Sequence, residues 1–286
     1  MSFWKKLESV DVRIIYLVLW IAVGIPLVAP LNLPLSISPD TIKYKAAIDA
    51  LPAGSVVVLG MDVSPAGYGG ELGPQARATT THLFRQPVKI IFESFWDTGA
   101  PLIETVWKDP FVAAAMKDKK YGVDYVDLGW IPGSETGMAS FAADVWKTLE
   151  KGDYKGTKLA DLPMMANIKT INDITMLICI ETGTPGIPEY LRQWQAKDTK
   201  LEVLVGSLGV DVPANEAFVA SGQLISLLRG GRGAAEYQRL LNIATITDIM
   251  GADAMTTSHV VVLVFLVLGN IGYFALRKTR AGPIKT

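Results

Sequence analysis

The sequence predicts an α/β fold in which a doubly wound, mainly parallel sheet of five strands is flanked by two transmembrane helices. Three observations lead to this prediction. The strand-like runs are continuously apolar, as is typical of strands that are buried on both faces of a parallel sheet. Helical segments alternate with these runs along the chain. Two long apolar runs without charged residues lie near the two ends of the 286-residue chain.

The five predicted strands are rich in Val, Ile, Leu and Met. The first, 55–62, reads SVVVLGMD, and the fourth, 175–181, reads TMLICIE. Runs of this kind, separated by helices and short connections, are typical of open sheets of the Rossmann or flavodoxin type. The other predicted strands are 88–95, 123–130 and 201–208.

Helix signals occupy the segments between the strands. Ser38 followed by Pro39 is typical of a helix start, and this helix is predicted to end before Pro52. The segment 214–242 has the apolar spacing of two amphipathic helices that hinge at its glycines. The segment 151–173 has no clear period, and we interpret it as an insertion that offers a surface to a partner. The remaining predicted helices are 70–86, 100–119 with an interruption near Pro110, 138–151 and 188–197.

Two apolar segments predict membrane spans. Residues 14–35 carry no charged side chain, and about 20 apolar residues are enough for a helix to cross a bilayer. Residues 254–276 form the second predicted span. A cleaved signal peptide is the alternative for the first segment, although its apolar run is longer than the usual apolar region of a signal peptide.

The charges around these spans predict the orientation of the chain. Lys and Arg residues are retained on the cytoplasmic side of spanning helices, so the tails 1–13 and 277–286, which hold three and four such cations, are predicted to be cytoplasmic. The domain 36–253 is then extracytoplasmic, and it carries 20 Lys and Arg against 26 Asp and Glu. The sequence therefore predicts a protein of the cell membrane, and an acidic main domain that is a poor partner for nucleic acid.

Acidic side chains recur where predicted strands end. Asp97, Glu135 and Glu181 each follow a strand, and each precedes Thr and Gly. The carboxyl ends of parallel strands meet at one edge of a sheet, where open α/β sheets bind their ligands. One hypothesis is therefore a cleft for a polyol, a cation or an amine. The predicted lining residues are Asp62, Glu71, Asp97, Glu135 and Glu181.

The interpretation that we favour for these acids needs no ligand. The same edge starts the helices, and an acidic or hydroxyl side chain there satisfies the free N–H groups of a helix start. Under this interpretation Glu181→Gln loses only a charge near a helix start, which predicts a cost of about 0.3–1 kcal/mol.

The stretch 95–100, FWDTGA, resembles the active-site strand of an aspartic protease. That chemistry needs two carboxyl groups that share a proton. The aspartic protease fold is all-β, whereas Asp97 here lies between a strand and a helix, and the other two triplets carry Glu. A carboxylate-dependent hydrolase is therefore the third hypothesis for the function.

The sequence gives no signal for a nucleotide, a zinc ion or a catalytic triad. Gly67, Gly69 and Gly70 do not complete a dinucleotide-binding pattern, because Leu72 stands where its third glycine would lie, and we interpret them as ordinary turn glycines. The chain has two His and one Cys, and Cys179 lies within an apolar strand pattern. We predict no cofactor, no metal and no nucleotide partner.

The stretch 121–130, YGVDYVDLGW, and the phrases SGQLISLL and GGRGAAEY within 221–237 carry a resemblance. Together with the amino-terminal span, they resemble a group of prokaryotic membrane-anchored proteins for which no activity is known. The resemblance implies the same architecture, two spans and an α/β domain, and it implies no function.

The sequence favours a membrane-anchored structural or assembly subunit over an enzyme. The predicted partners are the lipid bilayer and either further copies of the chain or other subunits of a membrane complex. The alternatives are the extracytoplasmic ligand-binding or sensory domain and the hydrolase.

Overall fold

A computed structural model describes residues 10–280, with side chains described as far as Leu276. The chain divides into two compact units. The α/β unit is Leu35–Ile243, and the helical unit combines the segment that ends at Pro34 with the segment that begins at Ala244. The predicted cytoplasmic tails lie largely outside the described residues.

The α/β unit is built on a sheet of six parallel strands in the order β3-β2-β1-β4-β5-β6. The prediction of a parallel α/β sheet is confirmed, and the predicted number of five strands was wrong. The order reverses between β1 and β4, because the chain returns from the β3 edge to the middle of the sheet. The strands are β1 (Val56–Asp62), β2 (Lys89–Ser94), β3 (Tyr125–Trp130), β4 (Met176–Glu181), β5 (Glu202–Ser207) and β6 (Ser226–Arg229).

Helices connect these strands and form the helical unit. Helical turns of π type, Tyr68–Leu72 and Leu191–Gln195, extend two of them. The helices are α1 (Val12–Val28), α2 (Pro39–Asp49), α3 (Pro65–Gly67), α4 (Gly73–Arg85), α5 (Ala100–Trp107), α6 (Pro110–Ala115), α7 (Ser134–Ala143), α8 (Val145–Thr148), α9 (Ile187–Tyr190), α10 (Val212–Ala220), α11 (Gly230–Leu241) and α12 (Ile246–Arg280).

The sheet carries a hydrophobic core on each face. Side chains of β1 alternate between them: Val58 belongs to one core, and Val57 and Leu59 belong to the other. Side chains of α7, α8, α9 and α10 pack in the first core, and side chains of α2, α4, α5, α6 and α11 pack in the second. Burial on both faces explains why these strands are continuously apolar.

The sixth strand lies where the sequence predicted two hinged helices. Leu227 and Leu228 are fully buried in β6, which pairs with β5. The glycines Gly222 and Gly230, both with positive φ, stand before and after this strand. Four residues are too few for an apolar run to reveal whether its period is that of a strand or of a helix, so the prediction missed β6.

Helix α2 begins as predicted. The Ser38 hydroxyl accepts the N–H of Thr41 at 3.3 Å, and Pro39 is the first helical residue. The buried Glu236 of α11 accepts the N–H of Ser38 at 3.0 Å and the hydroxyl of Thr41 at 2.7 Å. This carboxylate joins the first helix of the α/β unit to the last.

The segment that we interpreted as a partner surface packs inside the α/β unit. It contains three short 3₁₀ turns, Leu159–Asp161, Pro163–Met165 and Ile171–Asp173. Its apolar side chains are buried in the first core, among them Met165 and Ile168. The segment therefore supplies part of the core on that face of the sheet.

The helical unit is an antiparallel pair formed by α1 and α12. The Thr257 hydroxyl donates to the carbonyl oxygen of Ala22 at 2.7 Å. The buried Asp253 accepts the backbone N–H groups of Leu31, Asn32 and Leu33 at 2.7, 2.9 and 3.0 Å. One carboxylate thus fixes the chain that follows α1.

Within the described residues, one helix is long and apolar enough to cross a membrane, namely the 31 residues Ile246–Leu276. The first predicted span, 14–35, is not shown as one: α1 has 17 residues, or about 25 Å of helix, against a hydrocarbon layer of about 30 Å. The helix ends at Val28 because Ala29 precedes Pro30 and takes the extended conformation, with φ −142° and ψ 117°.

Candidate functional site

The carboxyl ends of the six parallel strands form one edge of the sheet, called here the strand-end edge. In the register of β1 with β4, Asp62 lies beside Glu181, at the point where the strand order reverses. Open parallel sheets bind ligands at this kind of position. The edge also carries Ser94 on β2, Trp130 on β3 and Ser207 on β5.

Three fully buried residues form an acidic cluster just inside this edge. The Tyr190 hydroxyl oxygen lies 2.7 Å from Asp62 Oδ2 and 2.7 Å from Glu93 Oε1. Asp62 Oδ1 also accepts the N–H of Phe95 at 2.6 Å, and the Cys179 thiol lies 3.7 Å from Asp62 Oδ2. Asp62, Glu93 and Tyr190 are each fully shielded from solvent, and together they form the buried acid cluster.

One glycine leaves room for this cluster, and a second leaves room for the backbone beside it. A Cβ on Gly60 would lie 2.8 Å from both Glu93 Oε1 and the Tyr190 hydroxyl oxygen. A Cβ on Gly99 would collide with the carbonyl oxygen of Met61. The absence of a side chain at Gly60 is what permits a tyrosine and a glutamate to meet over the middle of β1.

Burial governs the acidity of these groups. Burial raises the pKa of Asp62 to about 6, although the hydrogen bonds from Tyr190 and Phe95 lower it. Burial also raises the pKa of Glu93 well above its usual value, and the charges of Asp62 and Asp127 raise it further. The cluster therefore retains protons that exposed carboxyl groups lose.

Glu181 occupies a second buried position on the same edge. The N–H of Ile187, the first residue of α9, donates to Glu181 Oε2 at 2.6 Å, and the Asn215 side-chain amide donates to Oε1 at 2.8 Å. Asn215 also donates to Ser207 Oγ at 3.0 Å. Burial raises the pKa of Glu181 to about 7, although both donors lower it. Glu181 thus joins the starts of two helices to the end of β4.

The other three predicted site residues lie apart from these groups. Glu71 accepts the N–H of Gly209 at 2.8 Å. Glu135 makes an ion pair with Arg192 at 2.9 Å, and the Arg192 side chain holds the pKa of Glu135 down at about 2. Asp97 is exposed on the loop that follows β2. The structure therefore brings Asp62 and Glu181 together, and it does not unite the five predicted residues in one cleft.

Two surface clefts lie at the strand-end edge, and Asp97 and Trp130 line both of them. The first has a volume of about 400 Å³ and is bounded by the loops that follow β2, β3 and β4. The second, of about 560 Å³, lies between edge strand β3, the start of α5 and the segment that follows α8. Trp130 is 51% exposed, and Tyr154 in the second cleft is 48% exposed. Of the five predicted residues, Asp97 alone lines either cleft.

Four residues of this edge were not among the predicted site residues, namely Glu93, Tyr190, Asn215 and Trp130. A signal for Glu93 was present, since a glutamate within the strand Lys-Ile-Ile-Phe-Glu-Ser must be buried if both sheet faces are covered. No comparable signal marks Tyr190 or Asn215, because helical aromatic and amide residues are common in any core or surface.

The residues described by the structure offer no metal site: nowhere among them do three His, Cys, Asp or Glu side chains meet as metal ligands. Gly67, Gly69 and Gly70 lie in helical turns and have no positive φ, so our interpretation of them as ordinary turn glycines was wrong. The first connection of the sheet is thus a helix that begins at Pro65, with Ser64 as its N-cap.

The fold and this edge define a doubly wound α/β domain with strand order 3-2-1-4-5-6, joined in one chain to a pair of apolar helices. Comparison of the chain with known protein families, with characterised proteins and with solved structures finds no match.

Proposed function

We propose that this protein is a membrane-anchored, non-enzymatic subunit that assembles with further copies of itself or with other membrane subunits. The apolar surface of the helical unit carries the proposal. Trp20 of α1 is 79% exposed, and Leu263 and Phe274 of α12 are more than half exposed. A soluble surface rarely leaves so many large apolar side chains in water, so lipid or neighbouring subunits are the surroundings that fit them.

The helical pair also suits a membrane in its polar contacts. Thr257 and Asp253 direct their polar atoms at α1 and at the chain that follows it, so these groups are satisfied within the pair. Helix α1 is short for a span by itself. We propose that it crosses beside α12, with the α/β unit outside the cytoplasm and both termini inside, as the flanking cations predict.

The strand-end edge supports a structural role in preference to hydrolysis. Glu181 and Glu71 hold backbone N–H groups, and Glu135 holds Arg192. The buried acid cluster is shielded from solvent, so it offers no substrate a path to its carboxyl groups. An aspartic protease mechanism needs two carboxyl groups that share a proton, and within the described residues no hydrogen bond joins the exposed Asp97 to a second carboxyl group.

Mass measurement tests the assembly proposal. The full-length chain is expressed, reconstituted in lipid nanodiscs and analysed by native mass spectrometry. We expect a complex that contains at least two chains of 30.9 kDa or one chain with a co-purifying subunit. A lone 30.9 kDa chain across the range of accessible concentrations contradicts the assembly proposal and leaves the anchor proposal intact.

Cysteine labelling tests the topology separately. Ala220 is exposed at the end of α10, so Ala220→Cys places a reactive thiol on the α/β unit, and the buried Cys179 serves as the unreactive background. We expect a membrane-impermeant maleimide to label this variant in intact cells. Labelling only after the cells are permeabilised contradicts the proposed orientation.

A second candidate function, a ligand-binding domain, is favoured by Asp97 and Trp130. Both line the two clefts, and the larger cleft presents Lys147 and Lys151 as well as carboxylates. Side chains of both charges suit a neutral polyol, which needs donors and acceptors, better than a simple cation. An exposed tryptophan face gives such a ligand an apolar surface.

Saturation-transfer NMR with a panel of neutral mono- and disaccharides tests this candidate. We expect saturation transfer to at least one sugar, lost in Trp130→Ala and kept in Val210→Ala, which is exposed and lines neither cleft. Equal transfer to both variants, or none to the wild type, contradicts the polyol site.

A further inference from the structure

The buried acid cluster has fewer protons than its geometry requires if both carboxyl groups are ionised. The Tyr190 hydroxyl has one proton, yet its oxygen lies 2.7 Å from a carboxyl oxygen on each side. Two carboxylate oxygens cannot both accept that single proton, and a contact between the tyrosine oxygen and the second carboxylate would be repulsive. One of the two carboxyl groups must therefore be protonated and must donate to the tyrosine oxygen.

The surroundings of the two groups identify which one is protonated. Asp62 receives the N–H of Phe95 at 2.6 Å, and the Cys179 thiol lies near its other oxygen. Such donors favour a carboxylate. Glu93 Oε2, in contrast, is buried without a hydrogen-bond partner. The proton therefore resides on Glu93, which donates to Tyr190, and Tyr190 donates to the Asp62 carboxylate.

The groups around the pair are themselves acidic or neutral. Asp127 of β3 raises the pKa of Glu93, and Glu181 and Cys179 of β4 lie on the opposite side of Asp62 in the sheet order. On α9, Tyr190 is the titratable group that faces the pair. If Glu93 lost its proton, two buried charges would stand on either side of Tyr190.

Tyr190 connects this cluster to a wall of the smaller surface cleft. It is the last residue of α9, which follows the loop 182–186 after β4. Thr184 and Pro185 of that loop line the cleft, and the Trp96 indole N–H donates to the Pro185 carbonyl oxygen at 2.9 Å. The hydrogen bonds of Tyr190 to Asp62 of β1 and Glu93 of β2 thus hold α9, which follows the cleft-lining loop, against the sheet.

We propose that Asp62, Glu93 and Tyr190 form a proton-operated latch, in which the proton on Glu93 keeps α9 against the sheet and its loss releases α9 and the loop 182–186. The proton passes to solvent on release, and no bond other than hydrogen bonds breaks. The protonated state is the closed one. Release moves Pro185 and Thr184, so it changes the shape of the smaller cleft.

The sign of the pH dependence follows from the folded-state pKa of Glu93, which lies above its unfolded value. The folded protein binds more protons than the unfolded chain between those two values, so the latch weakens as pH rises through that window. Below the unfolded pKa both states are protonated, and the latch is independent of pH.

Hydrogen exchange of the full-length chain in detergent micelles tests the latch. For peptides within 182–195, we expect the protection factor, corrected for the intrinsic rate, to fall roughly tenfold or more between about pH 6 and about pH 9, while peptides of β5 keep theirs. Glu93→Gln cannot ionise at this position, so most of this fall should disappear in that variant, and any fall that remains is the part due to Glu181, whose Oε2 accepts the Ile187 N–H. Glu150→Gln, at an exposed glutamate that lines the larger cleft, is the matched control and should behave as the wild type does.

Protection of 182–195 that is independent of pH in the wild type, or an unchanged pH dependence in Glu93→Gln, overturns the proposal. Infrared difference spectroscopy gives a second readout that does not depend on α9 movement: at neutral pH the wild type should show a protonated-carboxyl band that Glu93→Gln lacks. Absence of that difference also overturns it. If Glu93→Gln does not fold, Tyr190→Phe replaces it, and wild-type protection of 182–195 in this variant at about pH 6 refutes the latch.

Discussion

Glu93 and Glu181 are both buried glutamates of the parallel sheet, yet their surroundings differ. Glu181 has a donor for each oxygen, the N–H of Ile187 and the amide of Asn215. Glu93 shares one hydroxyl with Asp62, and its second oxygen has no partner. The difference teaches that burial raises the pKa of both carboxyl groups, and that the donors at the helix starts lower the pKa of Glu181 and fix it as an acceptor, whereas Glu93 lacks them and holds its proton more tightly.

Gly60→Ala has the largest expected effect on stability, because it disturbs the contact between Glu93 and Tyr190. The added methyl group would lie 2.8 Å from Glu93 Oε1 and from the Tyr190 hydroxyl, so both must move within a packed core. We expect a loss of about 2–3 kcal/mol in the free energy of unfolding, measured by urea titration.

The matched control for this substitution is Gly70→Ala. Gly70 lies in a helical turn and has no atom within 4 Å of the position that its Cβ would take. A stability equal to or slightly above that of the wild type is expected there. Equal stabilities of Gly60→Ala and Gly70→Ala would show that the cluster tolerates displacement.

Glu181→Gln tests the structural role of Glu181 as a hydrogen-bond acceptor. One oxygen becomes an amide NH₂ that faces either Ile187 N–H or the Asn215 amide, both of which are donors. We expect a cost of about 1–3 kcal/mol, which is larger than the 0.3–1 kcal/mol that the sequence predicts for a charge near a helix start. Thermal unfolding of the purified chain measures it.

Calcium distinguishes this structural role from a cation site at the same residue. The midpoint of Glu181→Gln should fall by the same amount with and without calcium, and the midpoint of a variant at an exposed glutamate, Glu150→Gln, should stay at the wild-type value. A calcium-dependent midpoint in the wild type that is lost in Glu181→Gln would favour the ligand hypothesis for Glu181.

Asp127 is intermediate between Glu181 and Glu93 in its hydrogen bonds, and Asp127→Asn has the smallest expected effect on stability. One oxygen of Asp127 accepts the N–H of Gly129 at 2.8 Å, and the other is buried without a partner. Burial raises its pKa to about 7, so the stability that it confers should fall as pH rises from its unfolded value through about 7. An asparagine cannot ionise, so this fall should disappear.

Urea titrations at about pH 5 and about pH 8 measure this difference. We expect Asp127→Asn to be more stable than the wild type at the higher pH by about 1 kcal/mol or less, and to show no such gain at the lower pH. A gain of equal size at both values would mean that Asp127 does not titrate in this range.

The fold was largely accessible from the sequence, because its signals are local. The five predicted strands and the start of α2 at Ser38 and Pro39 appear where continuous apolar runs and a capping pair indicate them. The misses have physical causes too: β6 is too short to display a period, and Pro30 ends α1 before it reaches the predicted length of the span.

The candidate site was accessible only in part. The sequence indicated that Asp62 and Glu181 end neighbouring strands, since acids after buried strands of a parallel sheet must share an edge. It grouped Glu71, Asp97 and Glu135 with them, although their contacts lie with Gly209, with solvent and with Arg192. Position along a strand predicts the edge, and it does not predict the direction of a side chain in a loop.

The sequence by itself determined the class of the fold, the polarity of the strand-end edge and the apolar character of α1 and α12, because each depends on composition and spacing along the chain. Only the tertiary structure decided which buried carboxyl groups have donors and how strongly each of them holds a proton. Two of the donors are Tyr190 and Asn215. Tyr190 is far from Asp62 in the sequence, and no sequence pattern marks Asn215 as a partner of Glu181. Packing between distant parts of the chain places these donors, and the donors determine how strongly each buried carboxyl group holds its proton.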